Sequence, residues 1–172
     1  MKKIIRVTLS QHFPQVHPNA GEPTYFRHQL ENEIHNYDSH IVTVYPSGED
    51  LFIDGRKKHT IRNNYCRWQH NLDKINAGQF RLSVRMWEAK PFRSKQEEIL
   101  SLDHVGYQQI ELDYDPTTEN VEVLIDGRPY TGGIEEIAKN DGLSARDFKD
   151  WFFSSTKTHF SGIIMHFTDF RY

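Results

Sequence analysis

At 172 residues the chain is long enough for one domain with a proper core and too short for two. Aromatics at 13% argue against intrinsic disorder even though only 37% of residues are hydrophobic. The single cysteine, Cys66, excludes an internal disulfide and suits a reducing compartment, and no long apolar run or leader stands out, so a cytoplasmic protein with no membrane partner is expected. The net charge of −3 conceals a split: residues 56–95 carry eleven Lys/Arg and only Asp73 and Glu88 as acids, +9 against −12 in the remainder. An acidic chain with this asymmetry can still offer a basic groove to phosphates, unless the cations are simply spread over a solvated surface.

In chain order, residues 4–9 alternate and predict a first strand with Ile5, Val7 and Leu9 on one side. Pro14, Pro18, Gly21 and Pro23 make 10–24 a loop. A helix follows over 24–34, capped by Thr24, with Phe26, Leu30 and Ile34 at helical spacing and Glu31 and Glu33 opposite. Short strands are predicted at 40–45 and 51–53, with Pro46-Ser47-Gly48 turning between them, and the stretch after Gly55 runs out as a strand. Asn63-Asn64 can cap a helix carrying Tyr65, Trp68, Leu72 and Ile75, which stops at Ala77-Gly78.

The clearest strand is 80–87, where Phe80, Leu82, Val84 and Met86 alternate with Arg81, Ser83, Arg85 and Trp87. Residues 90–94 turn the chain and 95–102 return antiparallel. Strands at 106–112 and 120–125 follow, then helices at about 133–139 and 145–153, the second capped by Ser144, and a closing strand at 162–167. The order is neither a regular βαβ alternation nor a repeat. An α+β domain is expected, a small mixed or antiparallel β-barrel with flanking helices, forming one domain over 1–172.

Few constellations carry chemistry. The ten histidines fit no zinc spacing, so no metal and no cofactor is predicted. Cys66, between Tyr65 and Arg67, reads more readily as an incidental thiol than a nucleophile. No phosphate-cradling glycine loop occurs. What remains is Gly55-Arg56-Lys57-Lys58-His59-Thr60-Ile61-Arg62, four permanent cations beside one hydroxyl. A threonine becomes a nucleophile only when a neighbour takes its proton, and a lysine can do that if burial or nearby cations lower its pKa. In a regular strand Lys58, Thr60 and Arg62 would share a face and Lys57 would point away, so Lys57 meets Thr60 only across a bulge or from the loop after Gly55.

This octapeptide resembles the Gly-x-Lys-x-x-Thr-x-Arg signature of ASCH domains, which belong to the PUA-like β-barrel superfamily. The segment Asn140-Asp141-Gly142-Leu143-Ser144-Ala145-Arg146-Asp147-Phe148, followed by Trp151-Phe152, is similar to the family's late acid-plus-helix segment, and 163–167 to its closing strand. The likeness spans roughly 51–172, and loops near 10–24 and 36–54 read as insertions into the minimal domain. Small bacterial members remove the acetyl group from acetylated cytidine with a Lys, a Thr and a Glu. The resemblance therefore implies an amidohydrolase in which Lys57 accepts the proton, Thr60 attacks and Asp141 stands where the Glu should be. Aspartate is one methylene shorter, and before Gly142 it also reads as a turn or capping acid. Arg62 would steady the oxyanion or a ligand carbonyl. PUA-like domains are also associated with RNA, so RNA or a nucleoside is the implied partner, and a non-catalytic RNA-binding module is the competing reading. In that role Lys58, Arg62, Arg85 and Arg93 would meet the ligand and Trp87, on the polar side of its strand, would stack a base, while Trp68 reads as core.

Overall fold

Side chains from two separate sheets meet in one buried cluster, which sets the frame for everything else. The computed structural model describes residues 2–44 and 48–172. The predicted strand end at Tyr45 and the turn residues Pro46 and Ser47 lie outside the described residues.

The first sheet has the order β1-β5-β6, with β1 (Lys3–Thr8) parallel to β5 (Phe80–Trp87) and β6 (Gln96–Leu102) antiparallel to β5. Leu82, Val84 and Met86 are buried as the alternation requires, with Val7 and the following Leu9 beside them. Ile5 is only half-buried. A bulge falls between Val84 and Arg85.

The second sheet is antiparallel, in the order β4-β10-β7-β8-β9. It is formed by β4 (His59–Asn63), β7 (Gly106–Asp115), β8 (Asn120–Ile125), the two-residue β9 (Arg128–Pro129) and β10 (His159–His166). On β7 and β8 burial alternates, with Ile110, Leu112, Val121, Val123 and Ile125 inward. A third unit pairs β2 (His40–Val44) with β3 (Glu49–Ile53) as an antiparallel ribbon. The α+β class therefore holds, with the strands in separate sheets rather than one closed barrel among the described residues.

The helices end where local chemistry ends them. In α2 (Tyr65–Asn76) the Asn64 side chain accepts from Arg67 N, and the chain turns away at Gly78 with φ 76°. In α4 (Ala145–Phe152) the Ser144 hydroxyl accepts from Asp147 N at 3.0 Å. α3 (Ile134–Asp141) stops at Gly142, φ 83°. α1 (Phe26–His35) departs from the sequence expectation at both ends. Its N-cap is Tyr25, without a side-chain cap, rather than Thr24, whose hydroxyl donates to Ser10 O at 2.7 Å and accepts a long bond from Phe26 N at 3.4 Å. Ile34 is 39% exposed, while the amides Gln29 and Asn32 are buried in its place. No helix among the described residues is long and apolar enough to cross a membrane.

Candidate active site

The buried amides of α1 explain where Lys57 goes. The Asn32 side chain donates to Ile53 O at 2.6 Å and Gly55 O at 3.0 Å, and Lys57 N donates to Gln29 O at 3.1 Å. On the other side, Lys58 N donates to Asn140 O at 2.8 Å. These bonds pin residues 54–58 as irregular chain between α1 and the end of α3, and the regular strand begins only at His59. The face problem posed by a continuous strand is thereby removed: Lys57 comes from the loop, and it lines the same cavity as Thr60. Lys58 does not. Its ammonium lies 4.8 Å from the centre of the Phe170 ring.

The cavity is small, about 20 Å³, and is lined by Leu9, Phe26, Lys57, Thr60, Arg62, Asp141 and Trp151, among others. That is room for about one water. The Lys57 ammonium is 1% exposed, lies 2.7 Å from Asp141 Oδ1, donates also to Asp141 O, and sits 4.0 Å from the Phe26 ring centre. The aspartate's shorter side chain is sufficient because α3 ends directly against the lysine. Thr60 is 2% exposed and its hydroxyl has no hydrogen-bond partner among the described residues. Arg62 is held by its own neighbours: Nη2 donates to Thr8 O at 2.8 Å and Nη1 to Ile61 O at 3.1 Å.

Burial pulls the Lys57 pKa below that of a free lysine, Asp141 opposing and the Arg62 charge adding to the drop. Burial alone would raise the Asp141 carboxyl, but the Lys57 charge and His59 outweigh it and hold it below the usual carboxylate range. Arg62 is likewise lowered by burial, against Asp141.

Behind the pair lies a layer that the sequence did not signal. His59 Nδ1 is 3.7 Å from Asp141 Oδ1, too long for a hydrogen bond, while His59 Nε2 is 2.7 Å from the Tyr172 hydroxyl, which also accepts from Asn140 Nδ2 at 3.0 Å. His59 is lowered by burial and so is neutral near pH 7. His166, 1% exposed, sits edge-on to His59 with neither ring nitrogen hydrogen bonded.

The 10–24 loop braces the cavity from outside. His17 Nε2 donates to Asp147 O at 3.1 Å, Asn19 Nδ2 to Asp147 Oδ1 at 2.8 Å, and Phe13 packs on both His17 and Trp151. Trp151 in turn lies against Phe26.

The remaining predicted ligand residues are elsewhere. Arg85, expected to meet the ligand together with Arg62, lies apart from it in a separate groove with Arg6, Trp87, Lys95 and Gln96, because it is on the outer face of β5. Trp87 is half-buried with its ring 5.3 Å from that of Phe92, and Arg93 is exposed on the same hairpin tip. Trp68 is half-buried against the core, and Cys66 is exposed. No group of His, Cys, Asp and Glu among the described residues is arranged to hold a metal ion. Comparison with protein-family models, with curated proteins and with solved structures finds no match to this chain.

Proposed function

We propose that the protein is an ASCH-type amidohydrolase that cleaves an acyl amide on cytidine, its two main sheets being the halves of an opened PUA-like barrel. One observation carries the reading: Lys57, Thr60, Arg62 and Asp141, the residues that the motif and the late acid would supply, border one small cavity. A lowered lysine pKa beside an unbonded threonine hydroxyl is the arrangement that nucleophilic acyl transfer needs.

In this mechanism Lys57 must first give up its extra proton, and its amine then takes the Thr60 proton as Thr60 Oγ1 bonds to the amide carbon. The Arg62 guanidinium faces the oxygen that becomes negative. The carbon–nitrogen bond then breaks, the Lys57 ammonium returns its proton to the departing exocyclic amine, and the acyl group remains on Thr60 as an ester. Water adds to that ester, Lys57 taking one of its protons and passing it to Thr60 Oγ1 as the ester bond breaks, and the acid leaves as carboxylate with its remaining proton released to solvent. Asp141, held ionised, orients the lysine rather than supplying the proton. The cavity of about 20 Å³ is too small for a nucleoside. The pyrimidine would lie in the adjoining cleft of about 660 Å³, which shares Phe26 with it, and only the acyl group would pass inward as Phe26 swings aside.

The test is incubation of the purified protein with N4-acetylcytidine, following cytidine and acetate, beside Lys57→Ala and Thr60→Ala. Wild type should turn over while both variants do not. Wild type no faster than the variants rules out the hydrolase.

A further inference from the structure

Asp141 has a second neighbour besides Lys57, supplied by the strand that carries Thr60. Regular alternation along β4 sends Thr60 and Arg62 to one face and His59 to the other. Thr60 and Arg62 thereby border the Lys57 cavity, while His59 is buried outside it with Nδ1 3.7 Å from Asp141 Oδ1. One carboxylate oxygen therefore meets the Lys57 ammonium at 2.7 Å and faces, beyond bonding distance, an imidazole nitrogen that has no other partner.

Which hydrogen that imidazole carries follows from the hydroxyl at its far end. The Tyr172 hydroxyl accepts from Asn140 Nδ2 at 3.0 Å and lies 2.7 Å from His59 Nε2. With one bond accepted from Asn140, the phenol's own hydrogen goes to His59 Nε2, so the hydrogen of the neutral ring is on Nδ1 and points at Asp141. The opposite tautomer would aim a bare lone pair at a carboxylate. Tyr172 is itself fixed: its N–H donates to Gln108 Oε1 at 2.9 Å, Gln108 Nε2 donates to its main-chain oxygen at 3.2 Å, and its ring packs edge-on against those of Tyr130 and Phe170. The other charged or titratable groups facing this cluster are Arg62 beside Lys57, Lys58 and His166 beside His59, and Tyr130 and Glu136 beside Tyr172. None of them is hydrogen bonded to Asp141 among the described residues.

The proposed chemistry passes through a state in which Lys57 has lost its extra proton. In that state Asp141 is a buried anion whose bonded cation has gone, and such a charge requires another donor. His59 Nδ1–H is the donor at hand. A small rotation of either side chain that closes 3.7 Å to ordinary hydrogen-bond length puts it where the ammonium was needed.

We infer that His59, its tautomer set by Tyr172, is a positioning residue that takes over Asp141 when Lys57 becomes the neutral base, keeping the aspartate ionised and in place through the proton transfers. No proton passes to or from His59; it donates a hydrogen bond throughout. The inference rests on the proposed function for the need of a neutral lysine, while the tautomer and the exchange of partners are measurable without turnover.

The experiment is NMR on the full chain. With nitrogen-15 histidine, long-range proton–nitrogen correlation at pH 7 should show the ring that is lost in His59→Asn protonated on Nδ1 and bare on Nε2, and Tyr172→Phe should shift it toward the other tautomer. With carbon-13 lysine, the side-chain signal lost in Lys57→Arg reports the Lys57 titration. His59→Phe should raise that midpoint by about one pH unit or more, the worth of a hydrogen bond to a charged group. His59→Asn, whose amide nitrogen stands where Nδ1 stood, should hold the midpoint near that of wild type. His59→Gln, which reaches the Nε2 position instead, should behave like His59→Phe. Thermal melting verifies that each variant is folded, and the Asn and Gln pair carries the comparison if His59→Phe is not. A ring protonated on Nε2 alone or on both nitrogens at pH 7, or one Lys57 midpoint shared by the Asn and Gln variants, overturns the inference. Hydrolysis of N4-acetylcytidine is read separately. The expected spectra without turnover remove the hydrolase and keep the His59 exchange, and turnover with an unmoved Lys57 midpoint does the reverse.

Discussion

Lys57 and Asp141 are 84 positions apart in the chain, yet they meet as a pair 2.7 Å apart with side chains 1% and 7% exposed. Removing one partner of such a pair leaves a charge without compensation, at about 3–5 kcal/mol, whereas replacing both with apolar groups is far milder. Asp141→Asn and Lys57→Met should therefore each lower unfolding stability by about that amount in urea at pH 7. The double variant Lys57→Met/Asp141→Leu should recover most of the loss. Single variants within about 1 kcal/mol of wild type would mean that the pair is not formed in solution.

Gly142 ends α3 immediately after Asp141, at φ 83°. A Cβ there would lie 2.8 Å from Gln29 Oε1, and the Gln29 amide bridges Thr24 O and Gly142 O at 3.1 Å each. Gly142→Ala thus combines a left-handed backbone, about 1–2 kcal/mol, with displacement of the side chain that ties α1 to the end of α3. Gly127, at φ 74° with open space around its Cβ position, isolates the backbone part. In thermal melts Gly142→Ala should fall clearly below Gly127→Ala; equal losses would show that the Gln29 bridge adjusts freely.

These two sites also show which parts were legible from sequence. Strand β5 and helices α2 and α4 were readable because their periodicity and caps are local: Leu82, Val84 and Met86 alternate, and Asn64 and Ser144 bond three residues ahead. On α1 the spacing of Phe26, Leu30 and Ile34 does not foretell that Ile34 is exposed while Gln29 and Asn32 are buried, because their amides hold main-chain carbonyls that lie far off in the sequence. A strand running from Gly55 would set Lys57 and Thr60 on opposite faces, but the bonds that hold 54–58 out of strand geometry come from distant α1 and α3. The His59–Tyr172 contact and the Arg6–Arg85–Lys95 groove depend on sheet order, which no local pattern encodes.

The 10–24 loop should open before the rest of the domain when its clasp on α4 is cut. His17→Ala with Asn19→Ala removes both bonds to Asp147 and the ring stacked 4.5 Å from Phe13. Deuterium exchange in 10–24 should rise by an order of magnitude or more, as for loss of about 1.4 kcal/mol or greater of local closing energy, while β7 and β10 keep their protection. Equal acceleration in those strands would show that the loop belongs to the global unfolding unit.

His166 should make the fold sensitive to acid. Its ring is 1% exposed, faces His59, Phe170 and Tyr172, and has neither nitrogen hydrogen bonded. Burial, with the charges of His59 and Arg171 adding, pushes its pKa down to about 3 from 6.5. The unfolded chain takes up this proton as pH falls through 6.5, but the folded chain does so only near 3. The neutral ring's contribution is therefore complete above about pH 6.5 and is lost across the interval below it, at most about 1.4 kcal/mol per pH unit. His59 and Asp141, both lowered, steepen the decline in the same direction. His166→Leu, which cannot be protonated, should bring the urea midpoints at pH 7 and pH 4.5 closer together than in wild type. An unchanged gap between the two pH values would mean that the unfolded chain gains no proton at this position that the folded one lacks.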